Sequence, residues 1–334
     1  MAVVAPFRVL KAAQRGGRSR RSRNLPLVFL VGSLMVLAAA QLLSAGVKHS
    51  PLLLSPCSHS ASSACSLDAG PGLDAVAFIC VGPSCDADLL CSSALSLRGV
   101  ASWRGPTFVL TDNPPSRLQQ CARKLSLSLL PVPSPSVAMQ FKNLKRQLFK
   151  HLPPSLSRVL YIDSDNLPVG CLHSFLQSIL LSMHKNNNEY APIAMFPDNA
   201  CTTCNRLNGG FMFMHLGSHA ANCLDEWTEL SSSNNMTAFT KDQDALDMLL
   251  KSHRSACSHA IAKLPWQRVA YMDSALWPGR LRALVTRPHF LHFTKGIRAS
   301  TRWPHIMQHI NRELEPYADT AQENARFALE SCAR

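Results

Sequence analysis

Apolar residues along the chain fall into two alternating patterns. Short apolar runs read as strands buried on both faces. Such runs occur in 74–82 (DAVAFICVG), in the stretch from Thr107 that is stopped by Asn113-Pro114-Pro115, and in 158–163 (RVLYID). Others lie in 191–196 (APIAMF), 209–217 (GGFMFMHLG) and 289–293 (HFLHF). Between them, apolar positions recur at steps of three and four, the spacing of one helix face. Phe141, Leu144, Leu148 and Leu152 predict a helix over 138–152, with Lys142, Lys145, Arg146 and Lys150 on its other faces. Residues 86–99 form a second predicted helix, and Leu172, Phe175, Ile179 and Met183 mark a third. Thr240 with Gln243 three residues on is a capping-box pattern before Leu246, Leu249 and Leu250, and 311–331 reads as a terminal helix. Residues 131–136 are Pro-rich and predict a loop. No internal repeat is present. Strands alternating with helices predict one α/β domain with a mainly parallel sheet flanked by helices.

Ahead of this domain the pattern is different. Residues 25–47 carry no charge and are long enough, at about 20 residues per ~30 Å of hydrocarbon, to cross a bilayer. Arg8, Lys11, Arg15, Arg18, Arg20, Arg21 and Arg23 precede this segment, and only Lys48 follows closely. That bias predicts an uncleaved signal anchor of type II, with residues 1–24 cytoplasmic and the rest lumenal in the Golgi or endoplasmic reticulum. A cleaved secretory signal and an organellar transit peptide are the alternatives. Residues 48–72 are Ser/Pro-rich and read as a flexible stem. The catalytic domain is then expected over 73–310 and a C-terminal helix over 311–334.

The net charge is +13, but without the seven basic residues of the first 23 positions the rest holds 27 basic against 21 acidic side chains. This mild excess does not indicate a nucleic-acid partner. In a lumenal compartment the twelve cysteines can pair, although spacing does not set their connectivity. Cys201-Thr202-Thr203-Cys204 has the spacing of half a zinc site or a redox pair, with no second such motif to complete it. Asn235-Met236-Thr237 is a glycosylation sequon.

The strongest chemical signal is Asp163-Ser164-Asp165 at the end of an apolar strand. Residues i and i+2 of an extended chain point the same way, so both carboxylates converge beyond the carboxyl edge of the sheet, where such folds bind ligands. A divalent ion, Mn²⁺ or Mg²⁺, neutralises that pair and bridges to a substrate diphosphate. A plain strand-to-turn transition is the structural alternative. Asn208-Gly209-Gly210 permits close approach of backbone to a ligand. Asp242 and Gln243, at a predicted helix start, suit the hydroxyls of a sugar or simply favour the helix dipole. His292, followed by Lys295 and Gly296, offers a metal ligand and a phosphate contact.

Taken in order, RVLYIDSD, LNGGFMFM, KDQDAL and HFTKG resemble the glycogenin-like nucleotide-sugar transferases of glycosyltransferase family 8, over about residues 74–305. The resemblance implies a GT-A type, Rossmann-like fold. It also implies transfer of a hexose-type sugar from a UDP-sugar to a glycan, protein or lipid acceptor, with retention of anomeric configuration. By the same resemblance Asp163, Asp165 and His292 would hold Mn²⁺, and Lys142 or Lys145 would contact the donor. Ser164, Asn208, Gly209 and Gly210 would lie at the donor site with Asp242 and Gln243, the candidate catalytic pair. Lys295 and Gly296 would close over the diphosphate. Two departures stand out: Arg298-Ala299-Ser300 replaces the usual Lys-Pro-Trp region, and Val81-Gly82-Pro83-Ser84 offers no aromatic to stack on a base. The rival readings are a non-catalytic sugar-binding protein on the same fold and a haloacid dehalogenase-type phosphatase. Against the phosphatase, Asp163 comes late in the domain and position 167 is Leu.

Overall fold

A computed structural model describes residues 72–332, apart from 83–84, 136–137, 184–189, 198–205, 233–241, 266–267, 273–287 and 294. The segment 25–47, the stem to residue 71, Cys201, Cys204, Asn235 and Lys241 lie outside the described residues. Among the described residues no helix is long and apolar enough to cross a membrane.

The first half of the domain alternates strand and helix: β1 (Ala75–Cys80), α1 (Ala87–Gly99), β2 (Thr107–Thr111), α2 (Ser116–Leu125), β3 (Ser128–Pro131), α3 (Ala138–Arg146) and β4 (Arg158–Ile162). Then come β5 (Asn166–Pro168), α4 (Leu172–Met183), β6 (Ile193–Pro197), β7 (Leu207–His215), α5 (Ser218–Ser232), α6 (Asp242–Lys251), α7 (Cys257–Ala260) and β8 (Ile261–Lys263). The chain ends with β9 (Val269–Met272), β10 (Phe290–Phe293), α8 (Lys295–Arg298), α9 (Trp303–Leu314) and α10 (Ala318–Cys332). Seven strands form one sheet in the order β3-β2-β1-β4-β7-β6-β8, and β7 alone runs against its neighbours. A smaller sheet, β5-β10-β9, stands beside it.

Alternation along the central strands explains why their sequences are apolar throughout. Val76, Phe78 and Cys80 of β1 join one core cluster, whereas Ala75, Ala77 and Ile79 join another. Leu160 and Ile162 of β4 face the first cluster and Val159 and Tyr161 the second. Both faces are covered, so the interior positions of β1 and β4 are apolar on either side. This arrangement has a consequence for the site: Asp163 continues the Tyr161 side of the strand, the side that α3 covers through Leu144.

Helix α1 begins at Asp86, whose carboxylate accepts a hydrogen bond from the Leu89 amide at 3.0 Å. The helix is buried on nearly every side, so its polar residues have protein partners. Ser93 Oγ donates to the Asn166 carbonyl at 2.5 Å, and Ser96 Oγ donates to the Pro168 carbonyl. The fully buried Arg98 donates to the carbonyls of Trp103 at 3.1 Å and Gly105 at 2.8 Å. Through the two serines, α1 props β5, the strand that follows the Asp163–Asp165 segment.

Several elements differ from expectation. The helix expected over 138–152 stops at Arg146, and only a short 3-10 turn at Leu148–Lys150 continues it. The terminal helix expected over 311–331 is two helices, α9 and α10, separated by a turn at Glu315–Tyr317 where Pro316 cannot supply an amide proton. Residue 311 therefore falls inside α9, and Ala321, Ala325 and Ala328 of α10 are buried. The strand expected over 209–217 covers Leu207–His215.

His289 precedes β10 with its ring 5.1 Å from that of Phe175. Burial, aided by the charge of Arg268, lowers its pKa to about 4. The unfolded chain binds a proton here near pH 6.5, while the folded chain stays neutral until about pH 4. Stability from this group is thus complete above pH 6.5 and is lost as the pH falls to 4. Unfolding experiments between these limits are expected to show uptake of about one more proton in the wild type than in His289→Phe. Parallel stability curves would count against this.

Candidate functional site

The Asp163–Asp165 segment leaves the carboxyl end of β4 as a turn. Asp163 remains in register with the sheet, its amide donating to the Gly210 carbonyl at 2.8 Å. Asp165 reaches the second sheet, its carbonyl accepting from the Phe293 amide at 2.8 Å. The two carboxylates therefore meet through this turn and not through the simple i, i+2 alternation of an extended strand. Both line a cavity of about 150 Å³ together with Ser164, Ile79, Val81, Cys85, Phe141 and Arg298. The Cys80–Cys85 disulfide closes the loop at the carboxyl end of β1 on the same rim.

Each carboxylate has its own cation. Lys145 Nζ of α3 lies 2.7 Å from Asp163 Oδ1 and 2.9 Å from Oδ2. Tyr161, fully buried two residues before Asp163, donates its hydroxyl to the same carboxylate. Lys145 also lies 5.3 Å from the centroid of the Tyr161 ring, within cation–π range. Arg298, at the end of α8, places a guanidinium nitrogen 2.9 Å from Asp165 Oδ2. His292 Nε2 is 3.5 Å from Asp165 Oδ1, a buried oxygen with no hydrogen bond among the described residues. Burial pushes the Asp165 carboxyl above the ordinary carboxylate range; His292, Arg298 and Lys145 oppose that push and Asp163 adds to it.

The glycine motif packs directly against this pair. A Cβ on Gly210 would stand 2.8 Å from Asp163 Oδ2 and 2.9 Å from Asn208 Oδ1, so only glycine fits without displacement. Asn208 Oδ1 accepts from the Gly210 amide at 2.7 Å, and Asn166 Nδ2 donates to the Gly210 carbonyl at 2.7 Å. The Gly209 carbonyl is 3.5 Å from Lys145 Nζ.

The structure thus brings together Lys145, Asp163, Ser164, Asp165, Asn208, Gly209, Gly210 and His292. Of the two lysines that the sequence left open, Lys145 holds Asp163, while Lys142 is half-buried one turn earlier on α3. Asp242 opens α6 and Gln243 is half-buried in its first turn. An ion pair between Asp244 and Arg206 sets this helix start beside the start of β7, where Asn208 lies. Lys295 and Gly296 are exposed on α8, and the member of that turn that meets a carboxylate is Arg298. Sequence reasoning missed Arg298 and Tyr161. The signal for Tyr161 was its i−2 spacing from Asp163 on the strand. For Arg298 it was a basic residue in the stretch that departs from the resembled family.

The donor set suits a divalent cation in chemical type, with carboxylate oxygens, one of them orphaned and buried, and an imidazole. Among the described residues no three His, Cys, Asp or Glu side chains gather closely enough to hold an ion by themselves. The carboxylates are shared with Lys145 and Arg298 instead. Lys145→Met takes the cation from Asp163 and is expected to cost about 3 kcal/mol in urea unfolding. Lys145→Met with Asp163→Asn should recover most of this loss. Strictly additive losses would show that the two groups are not coupled.

No protein-family model matches the chain, and no curated protein is similar to it. Similar solved structures include the galactosyltransferase LgtC, crystallised with donor and acceptor sugar analogues, at 12% identity and a TM-score of 0.49, covering 73% of this chain and 96% of that one. The glycosyltransferase GlyE of Streptococcus pneumoniae is 14% identical with a TM-score of 0.48, covering 75% of this chain and 64% of that one. Mouse xyloside xylosyltransferase 1 is 10% identical with a TM-score of 0.44, covering 66% of this chain and 97% of that one.

Proposed function

We propose that the chain is a metal-dependent glycosyltransferase. It moves a hexose-type sugar from a nucleotide diphosphate donor, a UDP-sugar, to a hydroxyl of a glycan, protein or lipid acceptor. One observation carries this reading: Asp163 and Asp165 line one cavity at the carboxyl edge of the sheet together with Arg298, and Lys145 is ion-paired to Asp163. Paired acids alone bind a cation, and paired bases alone bind a phosphate. Both together suit a metal–diphosphate, which presents positive and negative charge side by side.

Asp163, Asp165 and His292 would hold Mn²⁺, which when bound withdraws charge from the leaving diphosphate. The transfer breaks the bond between the anomeric carbon and the phosphate oxygen and forms one to the acceptor oxygen, and the acceptor proton passes to the departing diphosphate. Retention of anomeric configuration, by same-face attack or through a covalent intermediate, is the expected stereochemical course. Lys145 and Arg298 would exchange their carboxylates for diphosphate oxygens and stabilise the charge as it develops. Ile79, Val81 and Phe141 form an apolar wall for the nucleobase, with Phe141 as the ring missing from the Val81–Ser84 loop. Asn208, Gly209, Gly210, Asp242 and Gln243 would line the sugar, with Lys295 and Gly296 at the entrance.

The described disulfides, Cys80–Cys85 and Cys223–Cys257, support an oxidising compartment. They agree with a lumenal domain behind an anchor at 25–47.

A thermal-shift screen with UDP-sugars is expected to raise Tm only when Mn²⁺ or Mg²⁺ is present. Donor cleavage, read as UDP release, should fall by ~10²–10³-fold in both Asp163→Asn and Asp165→Asn, with the fold retained. Full turnover in either variant would overturn the assignment. Donor binding without any UDP release would point to the sugar-binding alternative.

A further inference from the structure

Of the cysteines whose side chains are described, Cys80, Cys85, Cys171, Cys223 and Cys257 are disulfide-bonded, and Cys91 and Cys121 are thiols. These last two stand in hydrogen-bond contact with each other. Cys91 lies on α1 and Cys121 on α2, in the seam where Leu90 and Ala94 pack beside Leu118, Ala122 and Leu125. Each residue is 8% exposed, so a small reagent has an edge to approach. The Arg117–Asp88 ion pair, 2.9 Å long and exposed, spans the same two helices.

The geometry points to a further disulfide between Cys91 and Cys121, formed by exchange with a small-molecule disulfide and fastening α1 to α2. Cys121 is the attacking thiol. Its contact with Cys91 and the nearby charges of Arg117 and Lys124 lower its pKa against the opposing effect of burial, whereas Cys91 is pushed far up. The Cys121 thiolate attacks one sulfur of the oxidant and expels a thiolate. Cys91, on losing its proton, then attacks Cys121 and expels the second. Two S–H bonds are lost and one S–S bond forms. The two electrons and two protons leave with the oxidant as two small thiols.

The bond would do more than close a loop of the chain. Helix α1 carries Ser93 and Ser96, which hold the carbonyls of Asn166 and Pro168 in β5. Fastening α1 therefore steadies the strand behind Asp165. It also explains why two cysteines are placed in a seam where small apolar residues would pack as well.

The test uses the full chain, incubated with oxidised glutathione, blocked with an alkylating reagent and digested without reduction. One cross-linked peptide pair containing Cys91 and Cys121 is expected, with both sites closed to the reagent. A pair already closed on isolation gives the same support. Tm should exceed that of Cys91→Ser/Cys121→Ser by about 5–10 °C. Either single variant should lose as much as the double, since one lost partner removes the whole bond. Three results would overturn the inference: both thiols still alkylated after oxidation, separate glutathione adducts, or cross-links from either cysteine to another position. The peptide map decides the question even where a serine variant fails to fold.

Discussion

Two carboxylates set side by side at the end of a buried strand repel one another, and the domain is organised around their neutralisation. At an effective dielectric constant of 20, like charges 4 Å apart cost about 4 kcal/mol. The chain meets this cost with cations from distant positions, Lys145 on α3 for Asp163 and Arg298 on α8 for Asp165, while the His292 imidazole of β10 lies 3.5 Å from Asp165. The backbone follows the same plan. The Asp163 amide is bonded to β7 and the Asp165 carbonyl to β10, so the turn joins the large sheet to the small one. Ser93 and Ser96 hold β5 from behind.

The proposed function asks these cations to leave one partner for another. A salt bridge enclosed in protein gains little over its desolvation cost, so exchanging a carboxylate for a diphosphate oxygen need not cost much. In the proposed exchange Lys145 and Arg298 would keep an anion in either state, so neither charge would be left without a partner. Gly210 permits this closeness, since any side chain there would press on the Asp163 carboxylate.

How much of this was legible in the sequence follows from burial and reach. Central strands β1, β2, β4, β6 and β7 read clearly because both faces are covered and their middle residues are mostly apolar. Short strands did not: β3 is partly exposed with Ser and Pro at its ends, and β5, β8 and β9 have three or four residues each. Helix α5 was missed because its buried stripe, Ala220, Cys223, Leu224 and Trp227, is interspersed with polar residues. At the site, Asp163, Asp165 and the Asn208–Gly210 motif stood out because they border apolar runs. The choice between Lys142 and Lys145 depends on the rotation of α3 over the sheet, which local spacing does not fix. Arg298 is basic in a stretch that departs from the resembled family, but its pairing with Asp165 rests on Ile297 of α8 sharing a core cluster with Leu167 of β5, which local spacing does not announce.

The central claim is that Asp163 and Asp165 grip a cation carrying a nucleotide diphosphate. Its most direct measurement is anomalous diffraction at the manganese edge from a crystal of the protein with Mn²⁺ and UDP. The account predicts one peak touching both carboxylates and the diphosphate, with Lys145 or Arg298 turned onto phosphate oxygens. UDP bound in this cavity with no peak there, and both original ion pairs intact, would contradict it.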